Sequence, residues 1–567
     1  MPDERCWDAV VVGAGIGGLV CAAYLSASGR SVLVLEQHDV AGGNSQVFRR
    51  RRAYEFDVGV HYIGDCGPDG VLPAILGGVG LRDRLRFLPM DFDGFDRILL
   101  PGLQFDMPAG WDAYRRRLRA TLPAEAAGLD TFLDVCAAVG REARESLLSA
   151  EELTLGSLLE RAPTMVGWGR RTLAELFDHC GLSKRARTVL AAQSPNYGMG
   201  PAQATVALHA SVTDHYLRGA YYPEGGGQML AASLIEVIES HGGELRTRCA
   251  VERILVEDGR VTGVGLAGGT VVRSALVVSN ADYRRTMLDL VGAEHLPSRL
   301  VAKTVNAEMA LPLATLYLGL NRELPERPNA NIWWHADDDI DDYYAGLAGG
   351  RTDVRFLFMS FASIKDPRSP TVCPDGHTNL QVMTLCPRGY ESWGTRRGPA
   401  DGERYRRDAR YQAQKTRLTA AMLDAAESVL GPFRDSIAHC EMATPLTHER
   451  YTRSTGGTPF GLARWGSGDG ARPATRTSVK GLHVVGASTG HGCGISGVAV
   501  GGIACAGQIL GRRLMAEVHA GAVLADPARL PDRPDGWDPL VVSRGVARRD
   551  ARGLARIDTV ASRAVSV

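Results

Sequence analysis

Short runs of hydrophobic residues flank a segment of helical character at the start of the chain. Ala9 to Val12 are uniformly apolar, as in a buried parallel strand. A longer apolar segment follows and ends at Gly29, and Ser31 to Leu35 form a second apolar run that closes on Glu36. This order predicts a strand, a helix and a second strand, the unit from which open parallel sheets are built.

The pattern changes character further along the chain. From residue 81 to about 220 the apolar positions recur at mainly helical spacing. From 225 onward strands and helices alternate again. Asp258-Gly259 is predicted as a hairpin turn between two strands, and Ala275 to Ser279 as one more buried strand.

The second half of the chain contains three further regions. Residues 291–474 are mixed in pattern and more aromatic, and the apolar run Leu482 to Gly486 then leads into a glycine-rich helix. The final region is rich in Pro, Asp, Arg and Ala, so we expect weak order over 516–567. Segments in which strands and helices alternate are therefore interrupted twice by segments of a different pattern.

The turn after the first strand carries glycines at the spacing of a dinucleotide site. Gly13 permits the tight turn, Gly15 lets the backbone approach a pyrophosphate, and Gly18 lets the helix pack closely on the strand. The helix start directs its free N–H groups at the phosphates. Glu36 ends the second strand, where a carboxylate accepts a ribose hydroxyl. The unit predicts nucleotide binding.

Composition and charge exclude several classes of protein. The 567 residues are 45% hydrophobic and 23% charged, as in folded globular chains. Lys+Arg and Asp+Glu both number 64, so the chain has no net positive charge of the kind that attracts nucleic acid. The eleven cysteines contain no CxxC pair, which argues against a zinc site or a disulfide framework.

The location that we predict is cytoplasmic, with peripheral membrane contact as an open alternative. The first residues lack the basic and apolar regions of a signal peptide. Residues 482–510 are long and apolar, but their glycines and polar side chains favour a buried loop and helix over a membrane span.

Two conspicuous local patterns have ordinary explanations. The run Asp337 to Asp342 holds five aspartates in six residues, which is typical of a solvated loop, and we assign no metal site. Trp333 and Trp334 are expected in a core or an interface, with the wall of an apolar tunnel as the alternative.

Five further segments resemble the flavin-dependent phytoene desaturase family, especially its carotenoid isomerase and retinol saturase branch. These segments are Phe56 to Gly64 (FDVGVHYIG), Tyr222 to Gly226 (YPEGG), Val277 to Asp282 (VVSNAD), Tyr451 to Gly461 (YTRSTGGTPFG) and Gly492 to Gly497 (GCGISG). Together with the glycine unit they cover about residues 8 to 510. One departure is Asn44, where many related oxidases have arginine, which weakens the carry-over of the exact phosphate contact at that position but not of flavin binding.

The resemblance implies an FAD cofactor in a Rossmann-like α/β domain (α+β overall) that is built from discontinuous segments and carries an inserted, mixed substrate-binding domain. It assigns 1–80, 221–290 and 475–515 to the FAD domain, and 81–220 and 291–474 to the substrate domain. The residues implied to bind the cofactor are Gly13, Gly15, Ile16, Gly17, Gly18, Glu36, Gln37, Gly42, Gly43, Asn44, Gly59, His61, Val251, Asn280, Gly486, Ile495 and Ser496.

The glycines from Gly492 to Gly497 also fit the pattern of a separate NAD site. We reject that interpretation because too little chain follows to complete a second strand–helix–strand unit. A helix N-terminus near the flavin pyrimidine is the better prediction, since its dipole stabilises negative charge there. Without an NAD domain, the electron partner is a quinone, oxygen or a separate reductase.

Three side chains are candidates for a catalytic role near the flavin. His61 and Tyr62 follow a turn where related flavoproteins approach the isoalloxazine, and His491 has room between two glycines. A structural histidine and simple loop packing are the alternatives for the two histidines. Further candidate proton donors are Tyr221, Tyr222, Glu224 and Cys493.

The predicted function is oxidation–reduction at a carbon–carbon bond of a hydrophobic polyene, isoprenoid or lipid, by hydride transfer at flavin N5. Saturation, desaturation and redox-assisted isomerisation all remain open. A flavin amine oxidase is the rival enzyme, favoured by a short pocket with an aromatic cage. A non-enzymatic lipid-binding protein similar to the Rab GDP-dissociation inhibitors is the rival of another class.

Overall fold

The computed structural model describes residues 6–149, 151, 155–325, 327–464 and 472–546. It confirms the predicted opening unit: strand Ala9–Val12, helix Ile16–Ala27 and strand Val32–Glu36. Gly29 adopts a left-handed φ of +83° just after the helix, as a chain reversal there requires. Both strands are fully buried, which explains their uninterrupted apolar runs.

A five-stranded parallel sheet unites distant parts of the chain. Its spatial order is Glu244–Thr247, Val32–Glu36, Ala9–Val12, Val277–Ser279 and Leu482–Val484. In chain order this is 3-2-1-4-5, so the topology reverses beside the first strand. Ligands of such sheets bind at the carboxyl ends of the strands, at that reversal. The arrangement confirms the predicted Rossmann-like fold.

Glycines allow the helices on this sheet to approach very closely. Helix Ile16–Ala27 packs between Gln228–Ser240 and the closing helix Gly494–Leu510. A Cβ atom on Gly502 would lie 2.5 Å from the carbonyl oxygen of Gly17. The small side chains of the closing helix are therefore a packing requirement of the crossing.

A seven-stranded sheet forms the second layer of the molecule. Its order is Ile437–Ala443, Leu313–Leu320, Thr378–Leu385, Phe356–Phe361, Asn331–His335, Asp96–Leu100 and Leu103–Met107. All neighbours pair antiparallel except Asn331–His335 with Asp96–Leu100, which are parallel. Two of its strands thus come from the segment 81–220, which is otherwise mainly helical.

The remaining elements complete the chain in order. The α-helices are Ile16–Ala27, Val71–Gly77, Trp111–Thr121, Ala126–Leu148, Leu155–Arg161, Pro163–Trp168, Leu173–His179, Lys184–Leu190, Val206–Leu217, Gln228–Ser240, Tyr283–Arg285, Ser298–Val305, Ile340–Ala348, Ala362–Lys365, Ala409–Leu430, Pro445–Thr452, Gly494–Leu510, Leu514–His519 and Pro539–Val542. Strands outside the two large sheets are Val47–Arg50, Tyr54–Asp57, Ile63–Gly64, Phe87–Pro89, Ala220–Pro223, Val251–Glu257, Arg260–Leu266, Val271–Arg273, Glu308–Met309 and Leu462–Arg464. The Asp258-Gly259 hairpin is confirmed, with φ values of +47° and +72°.

The tail differs from the expected weak order as far as residue 546. The guanidinium of Arg533 binds the buried Glu236 carboxylate at 2.7 Å and stacks on Trp537 at 4.2 Å. The Trp537 indole N–H donates to Glu236 at 3.0 Å. The polar composition of the tail did not predict these contacts, because their partner, Glu236, lies on a helix about 300 residues earlier in the chain. Residues 547–567 lie outside the described residues.

The acidic run Asp337 to Asp342 and the long apolar stretch 482–510 were the two segments considered for a metal site and a membrane span. Asp339 caps helix Ile340–Ala348, and arginine side chains bind Asp337 and Asp342. In the described ranges, no cluster of ligating side chains is arranged for a metal ion. Within those same ranges, none of the helices combines the length and the hydropathy needed to cross a bilayer.

Candidate active site

One large cavity lies where the carboxyl ends of the parallel sheet face the seven-stranded sheet. Its volume is about 1500 Å³, whereas typical small-molecule pockets measure about 300–1,000 Å³. Val12 and Asn280 line it from the parallel sheet, and Phe358 and Met383 from the other. The volume therefore accommodates an extended cofactor and a second molecule.

The glycine turn forms one end of this cavity from backbone atoms. Gly13 has a φ of +90°, and a Cβ on Gly15 would lie 2.6 Å from the side-chain nitrogen of Asn280. The loop that carries Gly42 and Gly43 lies alongside, with the Gly42 N–H donating to the Ala14 carbonyl at 2.8 Å. Side chains at these glycines would fill the cradle, which is the geometry that lets a pyrophosphate approach the backbone.

Glu36 is fixed at the position expected of a ribose ligand. Its carboxylate accepts the Ala14 N–H and the His38 N–H, both at 2.8 Å, and it lies on the cavity wall. Each carboxylate oxygen has capacity for another hydrogen bond. The side chain is thus held in place with acceptor sites available for hydroxyl groups.

The closing helix Gly494–Leu510 directs its N-terminus at the same cavity. Its N-cap residue Cys493 makes no side-chain capping bond, and Gly492 and Gly494 both adopt a φ of +80°. In the described part of the chain, the Ser496 hydroxyl is among the buried groups without a hydrogen-bond partner. Free donors and the positive end of a helix dipole fit the electron-rich end of a flavin. The cavity therefore fits FAD at both ends.

The structure brings nearly all predicted site residues to this one cavity. The residues on its wall are Gly13, Gly15, Ile16, Gly17, Glu36, Gln37, Gly42, Gly43, Asn44, Gly59, His61, Tyr62, Val251, Asn280, Gly486, His491, Ile495 and Ser496. Gly18 is different: a Cβ there would lie 2.6 Å from the Gly13 carbonyl oxygen, and its N–H donates to the Asn280 side chain at 3.1 Å. Its contacts are those of helix–strand packing.

Asn44 is held by a histidine that the motif does not contain. Its side-chain oxygen lies 2.8 Å from Nε2 of His448, on helix Pro445–Thr452. Burial lowers the pKa of His448 to about 4, so the imidazole is neutral. This pair presents a neutral amide at the position where many related oxidases have arginine.

His61 is a neutral hydrogen-bonding group. Burial lowers its pKa to about 3, and the Lys365 ammonium adds to that effect. With its amide oriented to satisfy both partners, Gln381 donates to His61 Nδ1 at 3.1 Å and to the Asp57 carbonyl oxygen at 3.2 Å. Because Nδ1 accepts, the ring proton is on Nε2.

Tyr62 has a buried carboxylate as its partner. Its hydroxyl donates to Asp96 Oδ2 at 3.0 Å and accepts from the Asn196 side chain at 3.1 Å. The ring stacks on Tyr216 with centroids 4.2 Å apart. Burial raises the pKa of Asp96 to about 6 and raises the pKa of Tyr62 above its usual range. Sequence reasoning missed Asp96, which belongs to a strand of the second sheet.

Lys365 is a buried cation directly behind these residues. Its side chain is 2% exposed, and its ammonium donates to the His61 carbonyl oxygen at 2.6 Å, to Asn331 at 2.5 Å and to Ser360 at 2.7 Å. Burial lowers its pKa to about 7. No sequence motif marked it, because 304 residues separate it from His61.

Asp57 is a second buried carboxylate close to this cation. It accepts the Tyr222 hydroxyl at 2.5 Å and the Gly227 N–H at 2.9 Å. Burial raises its pKa to about 7, although both hydrogen bonds act in the opposite direction. The hydroxyl proton of Tyr222, a candidate proton donor, is thus used in the hydrogen bond to Asp57. Glu224, another candidate, instead lies 3.7 Å from Arg86 and from Arg368.

His491 sits on the glycine loop before the closing helix. Its side chain is exposed to the interior of the cavity and is surrounded by protein. Burial by this surrounding protein lowers the pKa of the imidazole below its usual value. His491 is therefore neutral at neutral pH.

The cavity wall also includes an apolar region, which we call the apolar compartment. Its walls are Leu208, Val212, Leu313, Trp333, Phe356, Phe358 and Met383. Trp333 is 1% exposed and packs on Phe358 with ring centroids 4.4 Å apart, so it belongs to a core and to the cavity wall at once. Trp334 faces the other side of the same strand and packs on a different core.

Comparisons with known proteins agree with this geometry. The model of the family "Flavin containing amine oxidoreductase" matches residues 16–510. All-trans-retinol 13,14-reductase of Rattus norvegicus is 28% identical over 541 residues, 90% of this chain and 87% of the relative. The chloroplastic prolycopene isomerase of Arabidopsis thaliana is 27% identical over 537 residues, 89% and 83% of the two chains.

A solved structure shows the same fold at lower identity. Cyclohexylamine oxidase from Brevibacterium oxydans IH-35A aligns with a TM-score of 0.55 and 16% identity, over 90% of this chain and 100% of that one. The relatives confirm the predicted resemblance to the carotenoid isomerase and retinol saturase branch. The chain belongs to the flavin-containing amine oxidoreductase family and is an FAD-dependent oxidoreductase.

Proposed function

We propose that this enzyme saturates a carbon–carbon double bond in an apolar polyene, isoprenoid or related lipid. The observation that carries the proposal is the apolar compartment that shares one cavity with the nucleotide cleft. Its walls are aliphatic and aromatic side chains, which suit an extended hydrocarbon. A retinol reductase and a carotenoid isomerase among the relatives support the same substrate class.

The residues at the nucleotide end have a binding role in this proposal. The backbone at Gly15 and the start of the helix that follows would hold the pyrophosphate, and Glu36 would accept the ribose hydroxyl groups. The N-terminus of the closing helix at Gly494 stabilises negative charge on the reduced cofactor. When bound, FAD supplies hydride transfer at its N5 atom.

The residues at the other end orient the substrate and exclude water. Trp333, Phe358 and Met383 surround an apolar chain and keep a low dielectric around the double bond. His61 is a neutral donor at this point and contributes orientation. Saturation consumes electrons, so a reductase or a reduced quinone supplies them, and oxygen competes for them.

An apolar substrate of this class partitions into membranes, so we extend the proposal to peripheral membrane contact. Leu159 and Val166 lie on consecutive short helices and are 53% and 42% exposed. Helix Pro163–Trp168 packs against Ala126–Leu148, which contributes residues to the cavity wall, and helix Leu155–Arg161 packs on Pro163–Trp168. Flotation with vesicles, compared between the wild type and a Leu159→Ser, Val166→Ser variant, tests the contact.

The substrate class is tested with the reduced holoprotein under anaerobic conditions. Incubation with a panel of polyenes and unsaturated lipids should yield a product that is heavier by two hydrogens. An unchanged mass with an altered double-bond geometry would indicate isomerisation instead, and turnover of primary amines alone would indicate an amine oxidase. Trp333→Phe should raise the KM for the longest substrate several-fold, whereas Trp334→Phe on the opposite face is the matched control.

A further inference from the structure

Saturation of a double bond requires a proton as well as a hydride, and the proton donor follows from the buried side chains. His61 is a poor donor because its neutral ring carries a single proton on Nε2, and neutral imidazole is a very weak acid. The imidazole of His491 is likewise neutral at neutral pH. Both predicted histidines therefore lack an acidic proton.

Tyr62 differs because its hydroxyl is coupled to a second proton-carrying group. Tyr62 and Asn196 both lie on the cavity wall, and the Tyr62 hydroxyl is hydrogen-bonded to Asn196 and to Asp96. Asp96 is fully buried and receives further hydrogen bonds from Gln193 at 2.6 Å and from Asn331 at 2.9 Å. The two amides hold the carboxyl group in a single orientation toward the phenol.

We propose that Tyr62 and Asp96 form the proton-delivery pair of the saturation reaction, a proposal that rests on the function assigned above. When Asp96 is protonated, its carboxyl O–H donates to the phenolic oxygen across the same 3.0 Å contact, and the Tyr62 hydroxyl hydrogen turns to the substrate. The Tyr62 O–H bond then breaks, its electron pair stays on the oxygen, and the proton forms a new C–H bond with one carbon of the double bond. The phenolic oxygen then takes the proton of the Asp96 carboxyl group. The other carbon receives the hydride, so the product gains two hydrogens.

The pair is restored between turnovers by the same route in reverse. A hydronium ion from solvent that enters the emptied cavity gives a proton to Tyr62 and leaves as water, and Tyr62 passes its own proton to Asp96 across the 3.0 Å hydrogen bond. Asp96 and Tyr62 thus each lose and regain one proton per cycle. No further reactant is needed beyond the proton from solvent and the electron donor of the proposed function.

Lys365 is a positioning residue for this pair. Its ammonium binds Asn331, which in turn donates to Asp96, and it also binds the backbone carbonyl oxygen of His61, the neighbour of Tyr62. The groups whose charges face Asp96 are Tyr62, Tyr216 and Lys365. Lys365 is the cation among them, so its removal should disfavour the ionised form of Asp96.

Replacement of the phenol by Tyr62→Phe is the first test. This variant keeps the ring that stacks on Tyr216 and should retain FAD, but turnover should fall by about 10²–10⁴-fold, the range for loss of a general acid. The matched control is Tyr114→Phe, another buried tyrosine of the same core. In the wild type, kcat should decrease as pH rises through about 6, where Asp96 loses its proton.

Infrared spectroscopy of the oxidised holoprotein provides a readout that does not depend on turnover. A protonated-carboxyl band should titrate near pH 6 in the wild type and at higher pH in Tyr62→Phe, which lacks a hydrogen bond that lowers the pKa of Asp96, and it should be missing in Asp96→Asn while the band of Asp57 persists. If the wild type saturates polyenes but Tyr62→Phe does so at an unchanged rate, the proton-delivery pair is wrong. If the wild type acts on no polyene at all, the proposed function is wrong instead.

Discussion

The two ends of the cavity are built by different means. At the nucleotide end, backbone N–H groups, glycines and the carboxylate of Glu36 form the site, mostly from one stretch of about forty residues. At the catalytic end, side chains from distant segments meet around Lys365, with Asp57 and Asp96 as buried carboxylates. The first end depends on close backbone approach, and the second depends on compensated charge.

The two ends of the cavity are therefore sensitive to different substitutions. A backbone cradle tolerates changes in neighbouring side chains provided that the glycines remain. A buried ionic cluster tolerates little, because removing one member leaves the others without compensation in a low dielectric.

The largest effect is expected from Lys365→Met. The substitution keeps most of the side-chain volume but leaves Asp57 and Asp96 without the cation, and it deprives the His61 carbonyl oxygen and Asn331 of a donor. We expect the free energy of unfolding to fall by about 3–5 kcal/mol. Urea denaturation of the holoprotein measures it.

The matched control is Lys184→Met on the surface. Lys184 also pairs with an aspartate, Asp339, but its side chain is 72% exposed, and pairs of that kind contribute little. Equal losses of stability in the two variants would contradict the account of the buried cluster.

A pH-dependent effect is expected from Asp57→Asn. Burial raises the pKa of Asp57 to about 7 from 3.8, so between those values the folded protein holds a proton that the unfolded chain has released. The group's contribution to stability therefore decreases as pH rises through that window, by up to about 1.4 kcal/mol per pH unit. Asp57→Asn should lose this slope, and the exposed Asp112→Asn should retain it. Parallel stability curves for the wild type and Asp57→Asn would refute the assignment.

The smallest effect is expected at the nucleotide end, from truncation of the packed tail after Trp537. Residues 538–546 support the Gly42 loop: the Ser543 carbonyl oxygen accepts the Ala41 N–H at 2.8 Å, and Asp538 binds Arg49 at 2.6 Å. Their loss should weaken FAD binding by about fivefold, or ~1 kcal/mol. Fluorescence titration of the apoprotein with FAD measures the change, and truncation after Val546 is the control.

The contrast also explains what the sequence could and could not predict. The opening unit, the Asp258-Gly259 hairpin and the closing helix were predictable because glycines and apolar runs mark local backbone geometry. The proximity of Asp96 to Asn331 was not, because they become partners only when their strands pair in the second sheet, 235 residues apart. The Lys365 contacts arise in the same way.

For the histidines His61 and His491, the sequence predicted the position correctly but not the protonation state. Their types and their motif positions suggested proton transfer, and both do lie on the cavity wall. Burial nevertheless lowers the pKa of each. The protonation state of a candidate acid depends on its burial in the fold. The spacing of motifs along the chain does not predict that burial.

The most direct test of the account is anaerobic reoxidation of the reduced holoprotein by a polyene, with no other protein present. The absorbance of oxidised flavin should return while the absorbance of the polyene decreases, mole for mole. A saturated analogue of the same length should produce neither change. Flavin that stays reduced beside intact polyene, in a protein whose oxidised form is readily reduced by amines, would contradict the account.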